Sequence, residues 1–304
     1  ILTGTGGAVG NVQPAMQRFI TLTMTLVLAA ALIAGCGGDE QEATGYDHPT
    51  GATDLVVRAS VGGGLVPVDF AIGQLPAVSV YGDGTVVVPG AIIEIYPGPA
   101  LPSVQTFTIS EDAIQFLLEE ADRAGLLGPQ LDYGTPPIAD AATTTFTVIT
   151  GGERHDVAVY ALGAEGTISA GPVDLTEEQQ ARRRAASDFA TVLFGLETYL
   201  AGSQVVEGSS DYAPSAMAVY ATGYEGAPDL PQPTRAWPAG SLEGGEPAGA
   251  GFTCRVVDGD DLASALPTIR EANQLTPWTV DGAEYHLVFR PLLPDETSCA
   301  DLTS

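Results

Sequence analysis

The sequence predicts an α+β fold in which antiparallel β-hairpins carry three helices packed on the sheets. Three observations lead to this prediction. Strand-like segments come in pairs joined by short glycine turns, and helix-like segments begin at capping residues. Strands and helices also run in clusters, whereas strict alternation would favour a parallel doubly wound sheet.

The first strands follow a polar stretch, residues 36–51, that we interpret as a flexible tether. Gly82-Asp83-Gly84 lies between two β-branched runs and predicts a hairpin, because glycine adopts positive φ at little cost. Pro97-Gly98-Pro99 interrupts the strands. The predicted strands of this region are residues 54–58, 77–81, 85–88, 91–96 and 104–109.

Three helices are predicted from their caps and apolar faces. Ser110 is an N-cap followed by two acidic residues, where the helix dipole favours anions, and Gly125 ends that helix. Thr176 and Gln179 form a capping box that opens a helix to about Leu200. A third helix is predicted over residues 262–273, interrupted or kinked at Pro267.

Two further hairpins are predicted, with turns at residues 151–152 and 281–282. Each hairpin follows a helix. The sequences of their second strands, residues 155–160 and 286–290, can be aligned, which suggests a weak internal duplication. A Pro/Gly-rich stretch at residues 226–251 reads as a long surface loop. We therefore expect an α+β domain at residues 52–205, and a smaller α+β domain or a continuation of the first at 206–304.

The N-terminal segment carries the pattern of a secretory signal peptide at residues 16–35. Arg18 precedes an uncharged run at residues 19–34. Ile33-Ala34-Gly35-Cys36 then resembles the lipobox of bacterial lipoproteins. The resemblance implies cleavage before Cys36, which would carry a diacylglycerol and acyl chains such as palmitate. The alternative is an uncleaved membrane helix, for which the run is short, since about 20 residues span a bilayer. Residues 1–15 read as an upstream, non-native start.

A lipidated Cys36 would leave Cys254 and Cys299 in a disulfide-permissive compartment, so we expect a disulfide between them. It would stabilise the fold by about 3 kcal/mol. Two free thiols are the alternative.

The later chain also resembles secreted lipoproteins of actinobacteria, in Tyr81-Gly82-Asp83-Gly84 and in a C-terminal run from Trp278 through residues 289–296 to Cys299. This resemblance implies a lipid anchor on the outer face of the cytoplasmic membrane and no mechanism.

Composition restricts the partners. The formal net charge is −27, the 38 acidic residues all follow Cys36, and lysine is absent. Nucleic acids and anionic lipids need a basic surface, so we expect neither as a ligand. The membrane would be reached through the lipid anchor alone. We expect no cofactor.

Two sets of residues could act as acid–base groups or as calcium ligands. His155, Asp156 and His286 are candidate acid–base groups, but no motif attaches a nucleophile to them. Asp258, Asp260 and Asp261 could supply carboxylates to calcium, although the EF-hand spacing fails and a helix start explains them better.

Aromatic residues at predicted loops and strand ends could form a binding surface, although most such residues cover a core edge. They are Tyr81, Tyr96, Tyr133, Tyr212, Tyr220, Tyr224, Trp237 and Trp278. The sequence thus favours a non-enzymatic module of the cell envelope that binds a protein or the cell wall. An envelope hydrolase and a small-ligand-binding lipoprotein are the alternatives.

Overall fold

The computed structural model describes residues 45–163, 175–200 and 202–302. Residues Tyr46–Ser304 form one compact unit. The predicted start (1–15), signal peptide (16–35), lipidation site Cys36 and tether up to residue 44 lie outside the described residues. None of the helices in the described ranges is long and apolar enough to cross a membrane.

The described chain contains five α-helices and 13 strands, which confirms the predicted α+β class. The strands are β1 (Leu55–Gly62), β2 (Val78–Tyr81), β3 (Thr85–Pro89), β4 (Val104–Ile109), β5 (Thr143–Thr150), β6 (Glu153–Tyr160), β7 (Val205–Asp211), β8 (Ala216–Gly223), β9 (Arg235–Ala236), β10 (Glu246–Pro247), β11 (Thr253–Asp258), β12 (Trp278–Val280) and β13 (Ala283–Pro291). The helices are α1 (Val68–Gly73), α2 (Glu111–Arg123), α3 (Glu177–Phe194), α4 (Leu196–Tyr199) and α5 (Gly259–Arg270), with a 3-10 helix at Cys299–Leu302.

The first sheet has seven strands in the order β6-β5-β1-β2-β3-β4-β7, and all neighbours are antiparallel. Helices α2 and α3 contribute their apolar faces to its core. Ser110 caps α2 by accepting a hydrogen bond from the Ala113 amide, and the predicted capping box opens α3. Phe146 of β5 and Phe189 of α3 meet with ring centroids 5.5 Å apart.

The second sheet has six strands in the order β10-β11-β8-β13-β12-β9, in which only β9 and β12 pair in parallel. Helix α5 packs on it around an aromatic cluster. The ring of Trp237 lies 5.8 Å from those of both Trp278 and Phe289. Both tryptophans of the chain therefore belong to this core.

The C-terminal segment after β13 contacts both sheets. Leu293 packs against Leu55 and Tyr81 of the first sheet. Cys299 forms a disulfide with Cys254 of β11 in the second sheet, with a Cα–Cα distance of 6.0 Å. The predicted disulfide is thus confirmed, and it fastens the segment that joins the sheets.

The first sheet has two distinct ends. At the proximal end, the β2–β3 and β5–β6 turns receive the incoming chain: the Asp47 carbonyl accepts hydrogen bonds from the Gly151 amide and the Thr150 hydroxyl, both 2.7 Å. A Cβ on Gly82 would lie 2.3 Å from the Pro49 oxygen, so this turn requires glycine. The predicted tether is consequently fixed to the body from Tyr46 onward. The distal end carries the β1–β2 and β3–β4 connections.

Several predicted elements differ from the observed ones. Residues 91–96 form no strand, because the chain leaves the sheet at Gly90 and residues 98–100 bond to residues 272–274 instead. Helix α5 starts at Gly259 and continues through Pro267. The order of helix followed by hairpin does occur twice, but the first hairpin joins its sheet through β5 and the second through β13. The compared returning strands are therefore an edge strand and an interior strand.

Candidate functional site

His155 and Asp156 lie on β6, the outermost strand of the first sheet. Asp156 accepts hydrogen bonds from the Thr147 hydroxyl at 2.6 Å and from Nε of Arg154 at 2.7 Å. Partial burial raises the pKa of Asp156, but the bonds from Arg154 and Thr147 outweigh it and leave that pKa lowered. Adjacent strand residues point to opposite faces, so His155 and Asp156 are not placed as an acid–base dyad.

His286 lies on β13, in the interior of the second sheet. Its ring meets Phe252 edge-on, with centroids 6.1 Å apart. Burial lowers its pKa, and the charge of Asp69 only partly opposes this shift. The imidazole of His286 therefore packs against an aromatic ring, and His155 and His286 belong to different sheets.

The third histidine, His48, is held at the proximal end of the first sheet. Its side chain is 4% exposed, with Nδ1 2.7 Å from the Pro49 carbonyl oxygen and Nε2 2.9 Å from a carboxylate oxygen of Glu111. Both ring nitrogens face acceptors, so both bonds form together only when both nitrogens carry protons. This arrangement fastens the incoming chain to α2.

The carboxylates considered for calcium mark the start of α5. Asp258 is the N-cap residue and makes no side-chain capping bond, while Asp260 and Asp261 lie in the first turn. All three are exposed. Across the described residues, no group of three or more His, Cys, Asp or Glu side chains is placed to hold a metal ion. The first helical turn, where the dipole favours negative charge, accounts for these residues.

A cavity of about 230 Å³ lies beside the disulfide. Its lining includes Gly245, Arg255, Thr297 and Ser298. Arg255 is already engaged, since it donates to the Ser241 carbonyl at 2.9 Å. Ligand pockets usually measure about 300–1,000 Å³. This cavity is therefore small for an organic substrate, and the acid–base candidates do not line it.

Two ionic networks stabilise the junction between the sheets. Arg290 and Glu296 are 6% and 4% exposed and form two hydrogen bonds, of 2.7 and 2.9 Å. Asp295 accepts from Arg58 and from the Tyr81 hydroxyl, both at 2.7 Å. Burial raises the pKa of Tyr81 far above its ordinary value. These groups hold the C-terminal segment in place, and none of them lines the cavity beside the disulfide.

The predicted aromatic surface is mostly core. Five of the eight residues considered are buried: Tyr81, Tyr133, Tyr220, Trp237 and Trp278. Tyr212 and Tyr224 are half-buried, and Tyr96 is exposed over 76% of its surface.

Tyr96 is one of several exposed apolar residues on the two distal connections, which sequence reasoning missed. The β3–β4 connection exposes Ile92, Ile93, Ile95 and Tyr96, and the β1–β2 connection exposes Leu65, Val66, Val68 and Phe70. The signal was present in the sequence as an Ile-Ile-x-Ile-Tyr run bounded by Pro89 and Pro97. The same run has the β-branched composition that predicts a strand, and a strand within a sheet would be partly buried.

Comparisons with protein-family models, with curated proteins and with solved structures find no match.

Proposed function

We propose that this chain is a lipid-anchored, non-enzymatic module of the cell envelope that binds a protein partner. The observation that carries the binding role is the exposed apolar side chains of each of the two distal connections. Soluble proteins seldom expose such clusters unless the cluster is an interaction site.

The arrangement of the polar residues agrees with a binding role. The acid–base candidates are spread over two sheets: Asp156 is bonded to Thr147 and Arg154, and His286 packs against Phe252. The buried ion pairs join parts of the fold and do not line the cavity beside the disulfide.

The anchor rests on the lipobox-like sequence that ends at Cys36. It is tested by the substitution Cys36→Ala. We expect wild type in the membrane fraction with its leader removed, and Cys36→Ala as uncleaved or soluble material. The variant Cys254→Ala/Cys299→Ala is the matched control, because it removes two cysteines and keeps the anchor. Equal membrane retention of Cys36→Ala, with the leader cleaved, would contradict the anchor.

The binding role is tested by the size of the native assembly. In a mild detergent extract of the producing cells, we expect wild type to sediment as a complex larger than the monomer. The purified protein in the same detergent gives the size of the monomer and serves as the reference. A monomer in the cell extract would contradict the binding function while leaving the anchor unaffected.

A further inference from the structure

The β3–β4 connection contains an apolar tip, residues 91–97, which we call the Ile loop. Ile92, Ile93, Ile95 and Tyr96 are 79%, 65%, 59% and 76% exposed. These side chains belong to none of the hydrophobic clusters formed by the described residues. The Ile loop therefore projects from the fold.

The base of the Ile loop is fixed by backbone hydrogen bonds on both sides. The Gly90 amide donates to the Ser103 carbonyl at 2.9 Å, and the Gln274 amide donates to the Gly98 carbonyl at 2.9 Å. Ala100 and Leu101 then pack against the core of the second sheet. A held base positions the tip before any partner arrives, which lowers the ordering cost of binding.

The tip carries an acidic residue, and the chain as a whole is acidic. Glu94 lies within the Ile loop and is exposed. The chain has a net charge of −27. Most of its arginines already pair with its own carboxylates: Arg58, Arg123, Arg154, Arg182, Arg235 and Arg290. Charge complementarity therefore calls for a partner with cations around an apolar contact.

Charge disfavours the two other occupants of an apolar tip. An anionic membrane surface would repel Glu94 and a net charge of −27. Two copies of the chain would bring Glu94 to Glu94 and a net charge of −27 to another of −27, and like charges repel.

Building on the proposed function, we propose that the Ile loop inserts into an apolar groove of a partner protein whose rim carries lysine or arginine. Ile93 would enter the groove with its neighbours, and Glu94 would face the cationic rim. The contact then combines apolar burial with charge complementarity.

The test places the photo-crosslinker benzoylphenylalanine at Ile93 of the full chain in producing cells. Val206 on β7 is the matched control position, because it is apolar and 63% exposed against 65% for Ile93. We expect a protein adduct from position 93 and none from position 206. The captured protein is then purified and its affinity for the full chain measured.

We expect Ile93→Ser to weaken that affinity by about tenfold or more and Val206→Ser by less than about twofold. Affinity should also fall between about 0.05 and 0.5 M salt, because the rim contacts are screened. Both variants change exposed side chains, and circular dichroism verifies their fold.

Lipid adducts alone, adducts between two copies of this chain, or no adduct at position 93 would overturn the proposal. An affinity that is unchanged by Ile93→Ser, or that increases with salt concentration, would also overturn the proposal. If wild type sediments as a large complex while position 93 gives no protein adduct, the proposed function stands and this surface is wrong.

Discussion

At the scale of single residues, the pair Arg290–Glu296 shows how a buried charge is made tolerable. Backbone groups nearby in space bond both side chains. Nε of Arg290 donates to the Gln74 carbonyl at 3.1 Å, and Glu296 accepts from the Leu293 amide at 2.8 Å. Each buried charge is therefore matched by its partner and by backbone hydrogen bonds. Glu296 stands in a Pro-Asp-Glu sequence that predicts an exposed turn, so only the fold reveals its burial.

We expect Glu296→Ala to lower the free energy of unfolding by about 3–5 kcal/mol, because it leaves the Arg290 guanidinium buried and uncompensated. The double variant Arg290→Met/Glu296→Leu should recover most of this loss, since it replaces the charges with apolar groups. Urea denaturation measures both, with the exposed Glu225→Ala as control. A double variant no more stable than Glu296→Ala would show that the pair is irreplaceable.

At the scale of elements, local sequence signals fix where helices start. Thr176 accepts from the Gln179 amide at 3.1 Å, and the Gln179 side chain accepts from the Thr176 amide at 3.0 Å. We expect Thr176→Ala to cost about 1 kcal/mol in the free energy of unfolding. Thr191→Ala is the control, because Thr191 is exposed within the same helix and should change stability by less than about 0.5 kcal/mol. Equal losses in the two variants would mean that the capping box does not stabilise α3.

Elements that depend on distant partners could not be predicted in the same way. The Ser110 cap and the Gly82 and Gly151 turns are local, and they led to α2 and to two hairpins. Residues 91–96 have strand-forming side chains but no neighbouring strand. Conversely β7, with the polar sequence Val-Val-Glu-Gly-Ser-Ser-Asp, becomes a strand because the edge of β4 is available. The Ile loop was missed for the same reason, since exposure is a property of the whole fold.

At the scale of the whole molecule, the C-terminal segment decides whether the two sheets unfold together. It supplies Leu293 to the first sheet, while Cys299 is tied to the second. Asp295 adds ionic contact with Arg58 of β1. Because these contacts lie within a few residues of one another, unfolding of either sheet should weaken the non-covalent contacts of the segment with the other.

We therefore expect one cooperative unfolding transition, which two separate probes can test. Both tryptophans report on the core of the second sheet, and hydrogen exchange of β1 and β5 amides reports on the first. In Cys254→Ala/Cys299→Ala the free energy of unfolding should fall by about 3 kcal/mol by both probes, because the crosslink mainly restricts the unfolded chain. Wild type in reductant should behave like the variant. A fall in tryptophan stability alone, with β1 and β5 still protected, would show that the sheets are independent and that the junction does not couple them.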